Sequence, residues 1–474
     1  MARGAAGRPL MAAWRRRINS HELFGHDSID SLGYDWSRVA EPAVAPRYPL
    51  RVYLPQSTDD IATAVRETRQ LGIRPVVRSK GHSSNDLVVA EGGTVIAMEK
   101  HNRVLSVDDS AMTVTSQAGA MLSEVDEHLA HHGLGLPVIG DHAHITVGGF
   151  TSVGGITASS FRHGLFVDNV LEVEYVTWDG DVARVSRAET PDLLNRILMG
   201  LGREGVVSTV TSRVIRIDKF HSLWRNRQSH HRSLEDFLQV SHRRMAQPPP
   251  EARFMKGLFV DFGKACFGEF SLFADTSPTA VARFASTTAY TALHKIGFLS
   301  GRLPGPVDRA LKFVGMAGVL FSPPYALIKY AEASIDKILD STVGDPTRYL
   351  AVVMRESDYV AVSARVFEVL RGYRKRHGCF GVITAYVKGI RSPYLSRGRP
   401  DDERWAETVF YVGTVPDKLP PGLLDQIVAD IDDVCVETGA YRYMHTRTSR
   451  DPERLARIDP NAAYAGPRPP WPPG

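Results

Sequence analysis

Arg-Ser-Lys-Gly-His-Ser-Ser-Asn-Asp, residues 78–86, is a polar turn built around Gly81 and His82 and set between regular elements. Upstream, Ser57 with Asp60 three residues on predicts a capping-box start for a helix running to about Leu71. Arg74 to Arg78 then reads as a short strand. Helix, strand and glycine turn in that order let an α/β unit bring backbone N–H groups up to an anionic ligand. Gly81 permits close backbone approach, and Arg78 and Lys80 supply positive charge. Taken alone, the same residues also fit a plain polar turn carrying an exposed histidine.

A second segment bears on that choice. Residues 140–164, Gly-Asp-His-Ala-His-Ile-Thr-Val-Gly-Gly-Phe-Thr-Ser-Val-Gly-Gly-Ile-Thr-Ala-Ser-Ser-Phe-Arg-His-Gly, are glycine-rich and almost without charge. The pairs Gly148, Gly149 and Gly154, Gly155, interleaved with Thr146, Thr151 and Ser152, suit a backbone lying flat against a large planar or phosphorylated ligand. Asp141, His142, His144, Arg162 and His163 are the ionisable residues of the segment. A tight turn with glycines kept for packing is the alternative.

Around these segments, residues 50–217 read as one α/β unit. Leu122, Val125 and Leu129 recur at helical spacing up to a stop at Gly133. Val170 to Trp178 turns at Asp179-Gly180 into Val182 to Val185, a hairpin signal. Gly200-Leu-Gly-Arg-Glu-Gly205 satisfies G-x-G-x-x-G, but the dinucleotide fingerprint needs a strand before it and a helix after it. Here Thr190 to Met199 is helix-like and Val206 to Ile217 strand-like, so the motif reads as a helix-to-strand corner. From about 219 the texture changes to a second α+β region. It has strands at Phe254 to Phe262 and Phe267 to Phe273, helices near 279–294 and 307–321, and a loop at Pro248, Pro249 and Pro250.

Composition limits the partners. The 474 residues are 43% hydrophobic, enough for a large core, and 57 Lys plus Arg against 53 Asp plus Glu give only +4, which does not point to nucleic acid. Cys266, Cys379 and Cys435 lie far apart, without thiolate zinc spacing, and fit a reducing, cytoplasmic setting. Arg15, Arg16 and Arg17 precede no continuous apolar stretch, so a secretory signal is not expected. The apolar run Phe313 to Ile328, broken by Pro323 and Pro324, is too short for a bilayer of ~30 Å. It reads as a core helix broken at Pro323, with the wall of an apolar substrate pocket or docking on a membrane surface as the alternatives. His128, His131 and His132 with Asp141, His142 and His144 leave a metal-dependent hydrolase as a competing class.

Together, the stretches at 78–83, 141–164, 169–182 and 200–217 resemble the PCMH-type FAD-binding domain of the vanillyl-alcohol oxidase superfamily, with cytokinin dehydrogenases the nearest likeness. The resemblance implies an α+β fold: an arm at 1–45, a two-subdomain FAD-binding domain at 46–218, a substrate (cap) domain at 219–430, and a segment at 431–474 returning to the FAD domain. It implies FAD held by Val77, Arg78, Ser79, Lys80, Gly81, His82, Ser83, Thr146, Gly148, Gly149, Ser152, Ile156, Val207 and Tyr443, with His82 as the covalent tether. His142 stands where two-point-attached relatives carry cysteine, so one covalent bond is expected. Asp141 matches the aspartate that takes the substrate proton while a hydride leaves a C–H beside O or N for the flavin. The implied partners are a small-molecule substrate and an electron acceptor, O2 or a quinone or other carrier. An alditol or sugar-lactone oxidase and a flavin-binding protein without turnover are the alternatives.

Overall fold

A computed structural model of the chain describes residues 32–33, 35, 48–85, 87–140, 145–218, 222–277, 279–299, 306–307, 324–327, 348–397, 399, 404–413, 419–420 and 422–465. Asp141, His142 and His144, most of the arm at 1–45, nearly all of the helix expected at 307–321 and the tail from Gly466 lie outside them. Of the apolar run, only its last part is described, and it contributes the strand Tyr325–Leu327.

The first helix is Thr58–Gln70, opened by the expected capping box between Ser57 and Asp60 and closed at Leu71. Its apolar face, Ile61, Ala62, Ala64 and Val65, is buried. A three-stranded parallel sheet follows, ordered Arg51–Tyr53, Thr94–Ala97, Val76–Arg78. The last strand is shorter than Arg74 to Arg78, because Pro75 has no N–H to give to a ladder.

A five-stranded antiparallel sheet runs Val104–Asp108, Thr113–Gln117, Gly205–Arg213, Val170–Thr177, Val182–Ser186. The hairpin at Asp179-Gly180 is present, with Gly180 at φ +88°. The G-x-G-x-x-G lies between the helix Pro191–Ile197 and the strand Gly205–Arg213, the helix-to-strand corner expected. The strand expected to run to Ile217 breaks at Val214, whose N–H turns to Met112 O at 2.9 Å; Ile215–Arg216 then pairs with Leu134–Gly135 in a separate sheet.

An eight-stranded antiparallel sheet dominates the rest, ordered Tyr325–Leu327, Leu223–His231, Cys266–Thr276, Ala252–Asp261, Val382–Arg391, Arg404–Gly413, Arg348–Arg355, Tyr441–Arg442. Alternation along its strands sorts side chains onto two faces. Leu350, Val352, Met354, Ala385, Val387, Ala406, Phe410 and Val412 pack under residues of the helices Leu234–Ala246, Tyr359–His377 and Leu423–Thr438. On the opposite face Ala351, Val353, Tyr386, Ile390, Trp405 and Val409 share one core with Phe150, Ile156 and Phe166. The sheet is therefore a wall with helices behind it and the glycine-rich segment in front. The limit expected at 430 falls inside the helix Leu423–Thr438, and the strand Tyr441–Arg442 still belongs to the large sheet.

Candidate functional site

The turn at 79–85 leaves the edge of the parallel sheet and is tied to the C-terminal segment. Gly81 takes φ +71° and the Ser83 N–H reaches back to its carbonyl at 2.9 Å. The Arg78 guanidinium folds beneath Gly81, in the space that a Cβ there would need. Arg78 is buried, and burial pushes its pKa down to about 10 against the opposing charges of Asp35 and Glu99; it stays cationic at neutral pH. Lys80 is exposed, His82 half-buried and Ser83 buried. Ser84 N–H donates to His445 O at 2.9 Å. Asn85 Nδ2 donates to Met444 O at 3.3 Å and to Thr448 Oγ1 at 3.1 Å.

The glycine-rich segment folds into the short helix Val147–Val153, with Thr146 as its N-cap accepting from the Gly149 N–H. Gly148 N–H donates to Ala118 O at 2.7 Å, and a Cβ on Gly148 would lie 2.7 Å from the Ala118 Cβ. Ala118 N–H in turn donates to Ser208 O at 2.7 Å, so Gly148 and the strand carrying Val207 share one hydrogen-bonded row. Ser152 Oγ donates to Gly148 O at 2.8 Å. The helix stops at Gly154, φ +115°, and Gly155 follows at φ +75°. Phe150 and Phe166 crowd the Gly155 Cα, at 2.6 Å and 2.5 Å from where a Cβ would stand.

Two residues of the large sheet's region grip the Gly154–Ile156 turn. The Tyr443 hydroxyl accepts the N–H groups of Gly155 at 3.0 Å and Ile156 at 3.3 Å. Lys388 Nζ approaches Ile156 O at 3.5 Å while pairing with Glu407 Oε2 at 3.3 Å. Lys388 and Glu407 face each other across adjacent strands, and their side chains are 4% and 0% exposed, so the pair sits inside the wall. His445 completes the junction. Its ring stands edge-on to Tyr443 at 4.2 Å and tilted against Tyr349 at 5.1 Å. Burial, and secondarily the Lys388 charge, pushes its pKa down to about 3, so the imidazole is neutral.

The structure thus joins Ile156 to Tyr443 directly, brackets Ser83 between His82 and the Ser84–His445 bond, and sets Thr146, Gly148, Gly149 and Ser152 on one short helix. Val77, Ser79 and Lys80 have no hydrogen bond to the 146–156 stretch among those described. Asp141 lies outside the described residues. Ser84, Asn85, Lys388, Glu407 and His445 were not singled out from sequence. No group of three metal-ligating side chains occurs among the described residues, and His131 and His132 lie beyond the helix Leu122–Ala130 that carries His128. No helix among the described residues is long and apolar enough to cross a membrane.

A buried guanidinium under a glycine turn, together with a capped, glycine-rich helix, fits the anionic pyrophosphate and flat ring system of a flavin dinucleotide. Comparison with known proteins agrees. Residues 49–186 match the FAD binding domain family. The chain is 32% identical over 212 residues to the uncharacterized oxidoreductase ORF5 in the fasciation locus of Rhodococcoides fascians, covering 44% of this chain and 46% of that protein. It is 31% identical over 175 residues to L-gulonolactone oxidase of Mus musculus, 37% of this chain and 39% of that one. With cytokinin dehydrogenase 5 of Arabidopsis thaliana it shares 33% over 203 residues, 40% and 37% of the two chains. The chain therefore spans less than half the length of the curated relatives it matches. The match over residues 49–186 makes this stretch similar to an FAD binding domain, and FAD is the cofactor it indicates.

Proposed function

We propose that this protein is an FAD-dependent oxidoreductase that removes a hydride from a C–H bond beside an oxygen or nitrogen of a small organic substrate. In this reading residues 46–218 hold the cofactor, 219–430 cover it as a substrate domain, and 431–474 tie the two together. The observation that carries it is the grip on the Gly154–Ile156 turn by Tyr443 and Lys388, which fixes the large sheet's inner face against the glycine-rich wall of the FAD-binding domain. FAD, when bound, supplies the hydride acceptor. The chain supplies the rest. Arg78 offers a fixed positive charge for the pyrophosphate, the 146–156 stretch a flat wall, and the sheet a roof that excludes water. His82 is the proposed covalent tether.

A proton must leave the substrate O–H or N–H as the hydride departs, and Asp141 is the proposed acceptor. Asp141→Asn should keep the flavin and slow its reduction by substrate; unchanged reduction removes Asp141 from the mechanism. The likeness to L-gulonolactone oxidase favours a second substrate reading, a sugar lactone or alditol, beside the amine-type substrate suggested by the cytokinin dehydrogenases. Anaerobic bleaching of the flavin by a panel of cytokinins, alditols, sugar lactones and hydrophobic alcohols discriminates these. A flavin that none of them reduces would favour a binding protein without turnover.

A further inference from the structure

We propose that the helix Ala280–Leu299 docks its outward face on an anionic lipid surface, lying in the plane of the headgroups rather than crossing the bilayer. This interaction is independent of the cofactor reading. The helix packs at the edge of the large sheet through Ala282, which joins Leu223 and Tyr325 in a small cluster. Ser286, one turn on, is buried on the same side. Away from that side Val281, Phe284, Ala285, Thr288, Thr291 and Ala292 are exposed at spacings of three and four, so they share one stripe. Val281 at 78% and Phe284 at 74% are the two most exposed large apolar side chains among the described residues. Thr291 Oγ1 donates to Thr287 O at 2.8 Å, so this hydroxyl is satisfied within the helix.

A helix face left in water ordinarily carries charge, as Thr58–Gln70 does with Asp59, Asp60, Arg66, Glu67 and Arg69 exposed. The stripe carries none. Arg283 is the only charged residue from Ala280 to Ala292, and it is half-buried to one side of the stripe. The surrounding charge decides which partner suits this face. No acidic residue lies between Asp275 and Asp308, and residues 276–331 hold six Lys or Arg against Asp308 alone. The whole chain is only +4, so this stretch accounts for its positive balance. Apolar side chains with cations beside them match a bilayer of negative headgroups, which takes up the former and attracts the latter. Pairing this face with a second copy of the chain would instead bring like charges together, which is unfavourable.

The test is sedimentation of the purified full-length protein with vesicles, either phosphatidylcholine alone or phosphatidylcholine with about a third phosphatidylglycerol. Wild type should bind the mixed vesicles at least about tenfold more tightly than the neutral ones. Val281→Ser combined with Phe284→Ser should weaken that binding by about tenfold or more, because a large apolar side chain no longer leaves water. Leu105→Ser, at an exposed apolar position on the five-stranded sheet, should bind as wild type does. Phe284→Trp keeps the apolar character and should add a blue-shifted emission component when mixed vesicles are present, so the proposal stays testable if the double variant folds poorly. Wild type that stays in the supernatant with mixed vesicles, or binds both compositions equally, overturns the proposal. So does a double variant that melts and binds as wild type does. A lipid-free wild-type dimer that the double variant turns into a monomer would assign the stripe to a second copy and overturn it as well.

Discussion

Lys388→Met isolates what the buried pair contributes to the wall. Lys388 and Glu407 are paired at 3.3 Å with side chains 4% and 0% exposed, so removing the ammonium leaves a carboxylate that water cannot reach. Losing one partner of such a pair costs about 3 to 5 kcal/mol. For 474 residues unfolding as one unit, the unfolding entropy is about 1 kcal/mol/K, so the melting temperature should fall by about 3 to 5 °C. Replacing both partners, Lys388→Met with Glu407→Leu, removes the uncompensated charge and should return most of that loss. The Ile156 carbonyl also loses its neighbour at 3.5 Å, so both variants should hold FAD less tightly than the wild type. Differential scanning calorimetry of the flavin-loaded proteins measures the first effect and flavin release by ultrafiltration the second. A single variant that melts within about 1 °C of wild type, or a double variant as unstable as the single, would refute the buried-pair account.

Other consequences follow from the same geometry. Gly155→Ala places a Cβ 2.6 Å from Phe150 and 2.5 Å from Phe166 at φ +75°, and should abolish soluble flavin-bound protein; Gly133→Ala, also at positive φ but with nothing within 4 Å, should cost about 1 kcal/mol and keep the flavin. His445 has its pKa pushed from 6.5 to about 3 on folding, so the unfolded chain binds the extra proton and stability falls with acid across that window. The pH dependence of melting should be shallower there in His445→Asn than in wild type, and equal slopes would show that the imidazole is not buried neutral. Tyr443→Phe strands the N–H groups of Gly155 and Ile156 and should lower the melting temperature by about 1 to 3 °C while loosening FAD.

Local rules carried much of the fold into view before any coordinates. The Ser57–Asp60 capping box, the Asp179-Gly180 hairpin and the rejection of Gly200 to Gly205 as a dinucleotide loop each depend on neighbours within a few residues, and each is found as expected. Pro75 shortening a strand and Val214 breaking one are the local departures, since a missing N–H and a switch of ladder partner are set by which sheet the chain meets. The junction was not legible. Lys388 and Glu407 meet only through the register of two strands separated by the helix Pro393–Ser396, and neither has a motif around it. His445 lacks a signature as well, because its importance comes from the Ser84 bond 361 residues away. Glycine density in 140–164 was legible as composition, and in the structure a Cβ at Gly148, Gly154 or Gly155 would run into Ala118, Met199, or Phe150 and Phe166, the close packing that the sequence offered as the alternative.

The visible absorbance spectrum of the purified protein, recorded anaerobically before and after addition of each member of the substrate panel, tests the central claim most directly. The account predicts the bands of an oxidised flavin that bleach with one class of substrate, and a flavin that stays with the chain on acid precipitation if His82 is the tether. A protein that remains colourless after purification and after incubation with FAD would contradict it.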